Sequence, residues 1–193
     1  MSDVLVFRHA VARPDDEIDL AAAALLIAER EYPGLDVGEY LSQLDAHAAR
    51  ARARGGTVAA VKRVLFEDLG FRGNADDYYD ARNSFLNQVL ERCIGIPITL
   101  LVVFLDVGWR VGLAVEGIGA PGHFLVRAEG RIVDCFNAGV EVDPGRAVLP
   151  VAGKRAILER MLGNLARIAP PRPWLKEYQA ALATAPRAST RPS

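Results

Sequence analysis

The chain has 193 residues, 51% of them apolar and 24% charged, with a formal net charge of −1. That length can bury one full core and favours a single domain, while the balanced charge supplies no basic field to hold nucleic acid or anionic lipid. Residues 1–11 lack the apolar run of a secretory signal, and the longest apolar stretch, 94–107, is broken by Gly95, Pro97 and Asp106 and cannot span a bilayer.

The expectation is therefore a soluble cytoplasmic protein, and its two cysteines are too few for a disulfide framework and read as reduced thiols. Asp15 and Asp16 are placed to cap a first helix through Leu20, Leu25 and Ile27 that ends at Pro33-Gly34. Val37, Tyr40, Leu41 and Leu44 follow an i, i+3, i+4, i+7 spacing, which predicts a second helix stopped by Gly55-Gly56. On that helix Arg50, Arg52 and Arg54 read as a solvated face. Val61, Val64, Leu65 and Leu69 predict a third helix closed by Gly70. Residues 83–93 repeat the pattern with Leu86, Val89, Leu90 and Cys93.

Pro97 suits the first position of a helix, where its fixed φ fits and its missing N–H is not needed. The helix over 98–111 is apolar on nearly every side, so it belongs inside the domain. Asp106 and Arg110 form its one i,i+4 charge pair and mark an exposed edge. After Gly112 the period changes to two, and 113–118, 124–128 and 131–136 read as short strands. A last amphipathic helix carries Ile157, Leu158, Met161, Leu162, Leu165 and Ile168. Beyond it, 169–193 reads as a Pro-rich linker with a short helix near 174–184 and a frayed tail. There is no internal repeat. Helices followed by a helix packed on antiparallel strands make an α+β fold, organised as one domain over 1–168 with a helical part (1–80) and a core (81–168).

Glu129-Gly130 has the composition of a two-residue hairpin turn, which sets Ala128 opposite Arg131, Leu125 opposite Asp134 and His123 opposite Phe136. In that register His123 and Asp134 share one face of the sheet, one diagonal step apart, within reach for a carboxylate to orient an imidazole. A three-residue loop would send them to opposite faces. His9 and His47 read as ordinary surface residues. A metal site of His123, Asp134 and Cys135 is disfavoured because adjacent strand residues point apart. The glycines at 117, 119 and 122 precede a strand rather than open a helix, so they read as a turn beside the cleft and not as a phosphate loop.

Asn83-Ser84-Phe85-Leu86-Asn87, Gly95-Ile96-Pro97-Ile98-Thr99-Leu100, Pro121-Gly122-His123-Phe124-Leu125 and Asp134-Cys135-Phe136-Asn137 occur in this order. Together they make the chain similar to the SirB-type transglutaminase-like family, over roughly residues 15–168. The resemblance implies a papain-like core, with a central helix on a small antiparallel sheet. In the superfamily a Gly-x-Cys at the start of the buried helix precedes a His and an Asp on adjacent strands. His123 and Asp134 match the last two members of that triad. Pro97 stands where the cysteine would be, and proline has no nucleophile.

Thr99 and Cys93 are weak substitutes. Thr99 lies about 200° around the helix from Pro97, Cys93 falls on an apolar stripe, and Cys135 faces away from Asp134. Asn83 reads either as a helix cap or, with Asn87, as part of a ligand-binding face, and Gly122 and Asn137 complete the candidate binding set. The leading expectation is a catalytically silent domain that uses the His123–Asp134 cleft to bind a peptide or protein, without metal or cofactor. An amidohydrolase or cysteine peptidase-like enzyme with a relocated nucleophile is the first alternative, and a purely structural interaction scaffold the second. The sequence does not fix the oligomeric state.

Overall fold

The computed structural model describes residues 3–120, 123–143, 145, 149–168 and 170–184. Helix α1 (Asp3–Val11) buries Phe7 and Val11; no helical pattern marked it in the sequence. A 3-10 turn at Asp15–Glu17 leads into α2 (Leu20–Glu29), seven of whose residues are buried. Asp19, not Asp15 or Asp16, caps α2, its Oδ1 accepting from the Ala22 amide at 2.9 Å, because Asp19 directly precedes the first helical residue.

Helix α3 (Val37–Ala53) begins on Asp36, which accepts from the Glu39 amide at 3.2 Å. It stops where Gly55 and Gly56 take positive φ values of 100° and 64°. Helix α4 (Val58–Lys62) runs straight into a π-helical turn, Arg63–Asp68, and the segment closes at Gly70.

The span read as one helix over 83–93 is divided. A 3-10 turn, Ala81–Ser84, precedes α5 (Leu86–Arg92), whose N-cap is Phe85 and which ends on Cys93 in the left-handed region. Asn83 therefore caps no helix. Strand β1 (Arg72–Gly73) pairs in parallel with β2 (Ile94–Gly95) and ties the 74–80 loop to the start of the central helix. Gly95 is required there, since a Cβ would come within 2.7 Å of Thr99 Oγ1.

Helix α6 (Pro97–Val111) has Pro97 at its first position and is buried without interruption from Pro97 to Gly108. An all-round apolar helix is stable only if other elements enclose it, and here α2, α3, α4, α5, α7 and the main sheet do so. The Asp106–Arg110 pair is not an exposed edge: Asp106 is buried, its carboxylate lies 2.5 Å from Arg110 Nε, and Arg110 reaches on to Asp45 of α3 at 2.6 Å. Burial raises the Asp106 carboxyl above its usual range, and Arg110 works against that rise.

The main sheet is an antiparallel meander of β3 (Val115–Ala120), β4 (His123–Ala128), β5 (Arg131–Asp134) and β6 (Val140–Val142). β6 had no signal in the sequence. Glu129 and Gly130 form a two-residue turn, both at positive φ, with Ala128 opposite Arg131 and Val126 opposite Val133. This is the primed turn whose twist suits a hairpin. Phe124, Val126, Ala128 and Val133 join the main core under the sheet, while Ile118, Leu125 and Ile132 form a small cluster on the other face.

Helix α7 (Lys154–Ala166) closes the core. Its start is capped from far away: the Asp15 carboxylate accepts the amides of Lys154 at 3.0 Å and Arg155 at 2.8 Å. Helix α8 (Leu175–Thr184) lies against α1 and α7; Tyr178 meets Phe7 at 4.7 Å between ring centroids and Trp174 at 5.2 Å. The stretch beyond 169 thus contributes Leu175, Tyr178, Ala181 and Leu182 to the same core. The tail expected over 186–193 lies outside the described residues. No described helix is long and apolar enough to cross a membrane.

Candidate functional site

His123 opens β4 and Asp134 ends β5, and the Glu129-Gly130 turn sets their strands in the register that puts both side chains on one face. His123 Nε2 lies 3.0 Å from Asp134 Oδ2. Asp134 is almost fully buried and its acceptor sites are committed. Oδ2 also accepts from Asn137 Nδ2 at 2.8 Å, and Oδ1 accepts the amides of Phe136 at 3.0 Å and Asn137 at 3.3 Å. A carboxylate held by that many donors is well anchored, so it orients the imidazole through Nε2–H and leaves Nδ1 as the ring nitrogen open to other partners in a residue that lines the cleft. Among the described residues Nδ1 has no hydrogen-bond partner. The Phe136 ring stands edge-on to the imidazole, 6.3 Å between centroids, and limits its rotation.

The cleft in front of His123 is walled by Pro97 and Ile98 at the start of α6, by Phe124, by Tyr78 from the 74–80 loop, and by Arg160 and Asn164 of α7. Its volume is about 30 Å³, above the smallest space that holds a water molecule. It admits a small polar group. Sequence reasoning missed Tyr78, Arg160 and Asn164. Tyr78 left a trace, an aromatic pair with Tyr79 in an otherwise polar loop; Arg160 and Asn164 look like ordinary polar positions on an amphipathic helix. Burial is the main cause raising the Tyr78 phenol above its ordinary range, followed by Tyr79, with Arg160 opposing.

Asn83 holds that wall in place. Its Nδ2 donates to the carbonyls of Asp77 at 2.8 Å and Tyr78 at 3.3 Å, and its Oδ1 accepts from Asn74 Nδ2 at 3.1 Å. The side chain is fully buried, so its role is to fold the loop that carries Tyr78 over the cleft. Asn87 does not face His123. It lines a separate groove of about 510 Å³ with Tyr32, Tyr40 and Glu91, on the far side of α5. Asn137 stays with Asp134 as one of its donors. Gly122 lies outside the described residues.

The substitute nucleophiles are placed elsewhere. Thr99 is fully buried; its Oγ1 donates to the Asn83 carbonyl at 2.8 Å and accepts the Ile96 amide at 3.2 Å. Cys93 sits at the end of α5, partly exposed rather than within the core, and burial raises its thiol above the usual range. Cys135 is fully buried in the main core just after the end of β5, and burial, with Asp134 adding to it, pushes its thiol far up. None of the three lines the cleft. Among the described residues no cluster of His, Cys, Asp or Glu is arranged to hold a metal. His47, expected on the surface, is half-buried edge-on to Phe71, and burial lowers its imidazole, with Arg50 adding to the shift.

Comparison with known proteins gives the wider setting of this geometry. The sequence model of the transglutaminase-like superfamily matches residues 38–148. A UPF0162 protein of Xylella fastidiosa strain 9a5c is 40% identical over 179 residues, covering 85% of this chain and 64% of the relative. F-box only protein 21 of Mus musculus is 33% identical over 129 residues, 55% of this chain and 21% of that protein. A UPF0162 protein of Vibrio cholerae is 28% identical over 118 residues, 58% of this chain and 44% of the relative. The chain thus spans less than two thirds of the length of these relatives. No solved structure matches it.

Proposed function

This chain belongs to the transglutaminase-like superfamily, and we propose that it is a catalytically silent member of the SirB-type branch that binds a peptide or protein segment through the His123 cleft. The observation that carries the reading is the His123–Asp134 pair at 3.0 Å, whose free Nδ1 shares its cleft with Pro97 and with no cysteine, serine or threonine among the described lining residues. An imidazole held this way takes a proton from a nucleophile it touches. Pro97, at the first position of α6, stands for that nucleophile and cannot supply one. The relocated-nucleophile alternative loses its candidates for the same physical reason in each case: the Thr99 hydroxyl is committed to backbone groups, and both thiols lie off the cleft and are raised by burial.

The test is to incubate the protein with a panel of short amide-bearing peptides, glutamine side chains included, and to follow binding and product formation together. Saturable binding without cleavage or ammonia release fits the proposal. Reproducible turnover that disappears in His123→Ala would sink it.

A further inference from the structure

Tyr78, His123, Arg160 and Asn164 bring polar groups to the cleft beside the apolar Pro97, Ile98 and Phe124, and those polar groups select its ligand. Arg160 is half-buried on α7 and forms no ion pair with any described carboxylate; its guanidinium rests over the Phe124 ring, 5.5 Å from the centroid. A guanidinium held on an aromatic face with its edge free presents a planar pair of donors, the geometry that fits a carboxylate in two parallel bonds. Asn164 follows one helical turn later on the same wall.

The opposite wall is the first turn of α6, where Pro97 and Ile98 meet the cleft and the helix end favours negative charge. The charged and titratable groups that meet here are His123 on β4, Asp134 on β5, Tyr78 on the 74–80 loop and Arg160 on α7. Of these only Asp134 is an acid, and His123, Asn137 and two backbone amides occupy it. Among the described residues no carboxylate pairs with Arg160.

Resting on the silent-cleft reading above, we infer that this cleft receives the carboxylate of its peptide ligand, held by Arg160 and Asn164 on one side and by His123 on the other. The volume of about 30 Å³ suits such a head group entering alone, with the rest of the peptide left outside the cleft; Tyr79, 75% exposed and edge-on to the lining residue Tyr78, is available to it there. Because Nε2–H points at Asp134, Nδ1 donates to the ligand only once the imidazole carries a second proton.

The experiment uses the whole protein, isotope-labelled at histidine, and three probes: N-acetyl-Ala-Ala-Ala with a free terminal carboxylate, the same peptide as its terminal amide, and N-acetyl-Ala-Glu-Ala amide. The first arm supplies a chain end, the third a side chain, and the second neither. The expected result is a saturable shift of the His123 ring resonances with the first or third probe. Loss of a charge-assisted bond should weaken the amide probe, and should weaken binding in Arg160→Gln, by roughly tenfold or more. Arg160→Lys should fall between. Equal affinity for acid and amide, no movement of His123 at millimolar probe, or an indifferent Arg160→Gln would overturn the inference. Mass spectrometry of the same samples separates this from failure of the silent-domain reading, which would appear as cleaved probe.

Discussion

If Pro97 stands in place of a nucleophile, a thiol put there should be activated at once by the groups already in place. Two effects set the size of the change in Pro97→Cys. The amino end of α6, a 15-residue helix, stabilises an adjacent anion by about 0.3–1 kcal/mol, up to about 2 when partly buried. Any imidazolium brought to about 4 Å from that thiolate, across the cleft that position 97 and His123 both line, contributes about 4 kcal/mol at an effective dielectric near 20. At 1.36 kcal/mol per pKa unit, together they lower a thiol from about 8.5 by roughly three to four units, into the range of about 3.5–7.5 seen for activated cysteines.

The fold should tolerate the change. An N–H added at the first helical position is one of the unpaired donors in any case, and losing proline's restriction of the unfolded chain costs about 0.4–1 kcal/mol. The assay is the rate of alkylation against pH, read by peptide mass spectrometry, in Pro97→Cys and in Pro97→Cys/His123→Ala. We expect an inflection well below the ordinary thiol range that moves up in the double variant. An inflection near 8.5 in both would refute the placement of Pro97 against His123.

Three further outcomes follow from the same geometry. Asn83→Ala removes the buried amide that bonds the Asp77 and Tyr78 carbonyls and the Asn74 side chain and should cost about 2–3 kcal/mol; amide hydrogen exchange should speed up across 74–80, and unchanged exchange there would contradict the role given to Asn83. Thr99→Val removes a hydroxyl that satisfies a buried carbonyl and a buried amide, so Tm should fall by about 2–4 °C per kcal/mol over a loss of about 1–3 kcal/mol. Peptide binding to the remaining folded protein should not change, and a binding loss larger than the unfolded fraction would return Thr99 to the site. His47 has its imidazole lowered by burial, so protonation favours the unfolded chain: its contribution is complete above the unfolded value of about 6.5 and is lost as the pH falls from there through the lower folded value. His47→Leu should therefore flatten the decline in Tm between about pH 7.5 and 5.5, whereas parallel declines would contradict the burial argument.

Local rules made much of this fold legible. Glu129-Gly130 is a short-range signal, and it alone fixed the β4–β5 register and with it the meeting of His123 and Asp134. The unbroken apolar run of α6 required a buried helix wherever the rest of the chain went. What the sequence concealed depends on distant partners. Asp15 looks like a cap for the helix that follows it, yet it binds backbone amides of Lys154 and Arg155, a pairing that no local pattern encodes. Asn83 reads as a cap because asparagine often is one; its actual partners lie in a loop folded back by the β1–β2 pair. Asn87 falls one turn from Asn83, but the 3-10 turn before α5 breaks the helical phase between them and sends Asn87 to another groove. Arg160 and Asn164 become cleft residues only because α7 packs beside the first turn of α6.

The central claim is that the His123–Asp134 pair activates no nucleophile in this protein. Its most direct test is the pH-dependent alkylation of Cys93 and Cys135 in the natural protein and in His123→Ala. The account predicts slow labelling of both thiols, with no inflection below the free-thiol value of about 8.5 and no response to the loss of His123. Fast labelling of either cysteine below that value, abolished in His123→Ala, would contradict it and place a working thiolate beside the imidazole.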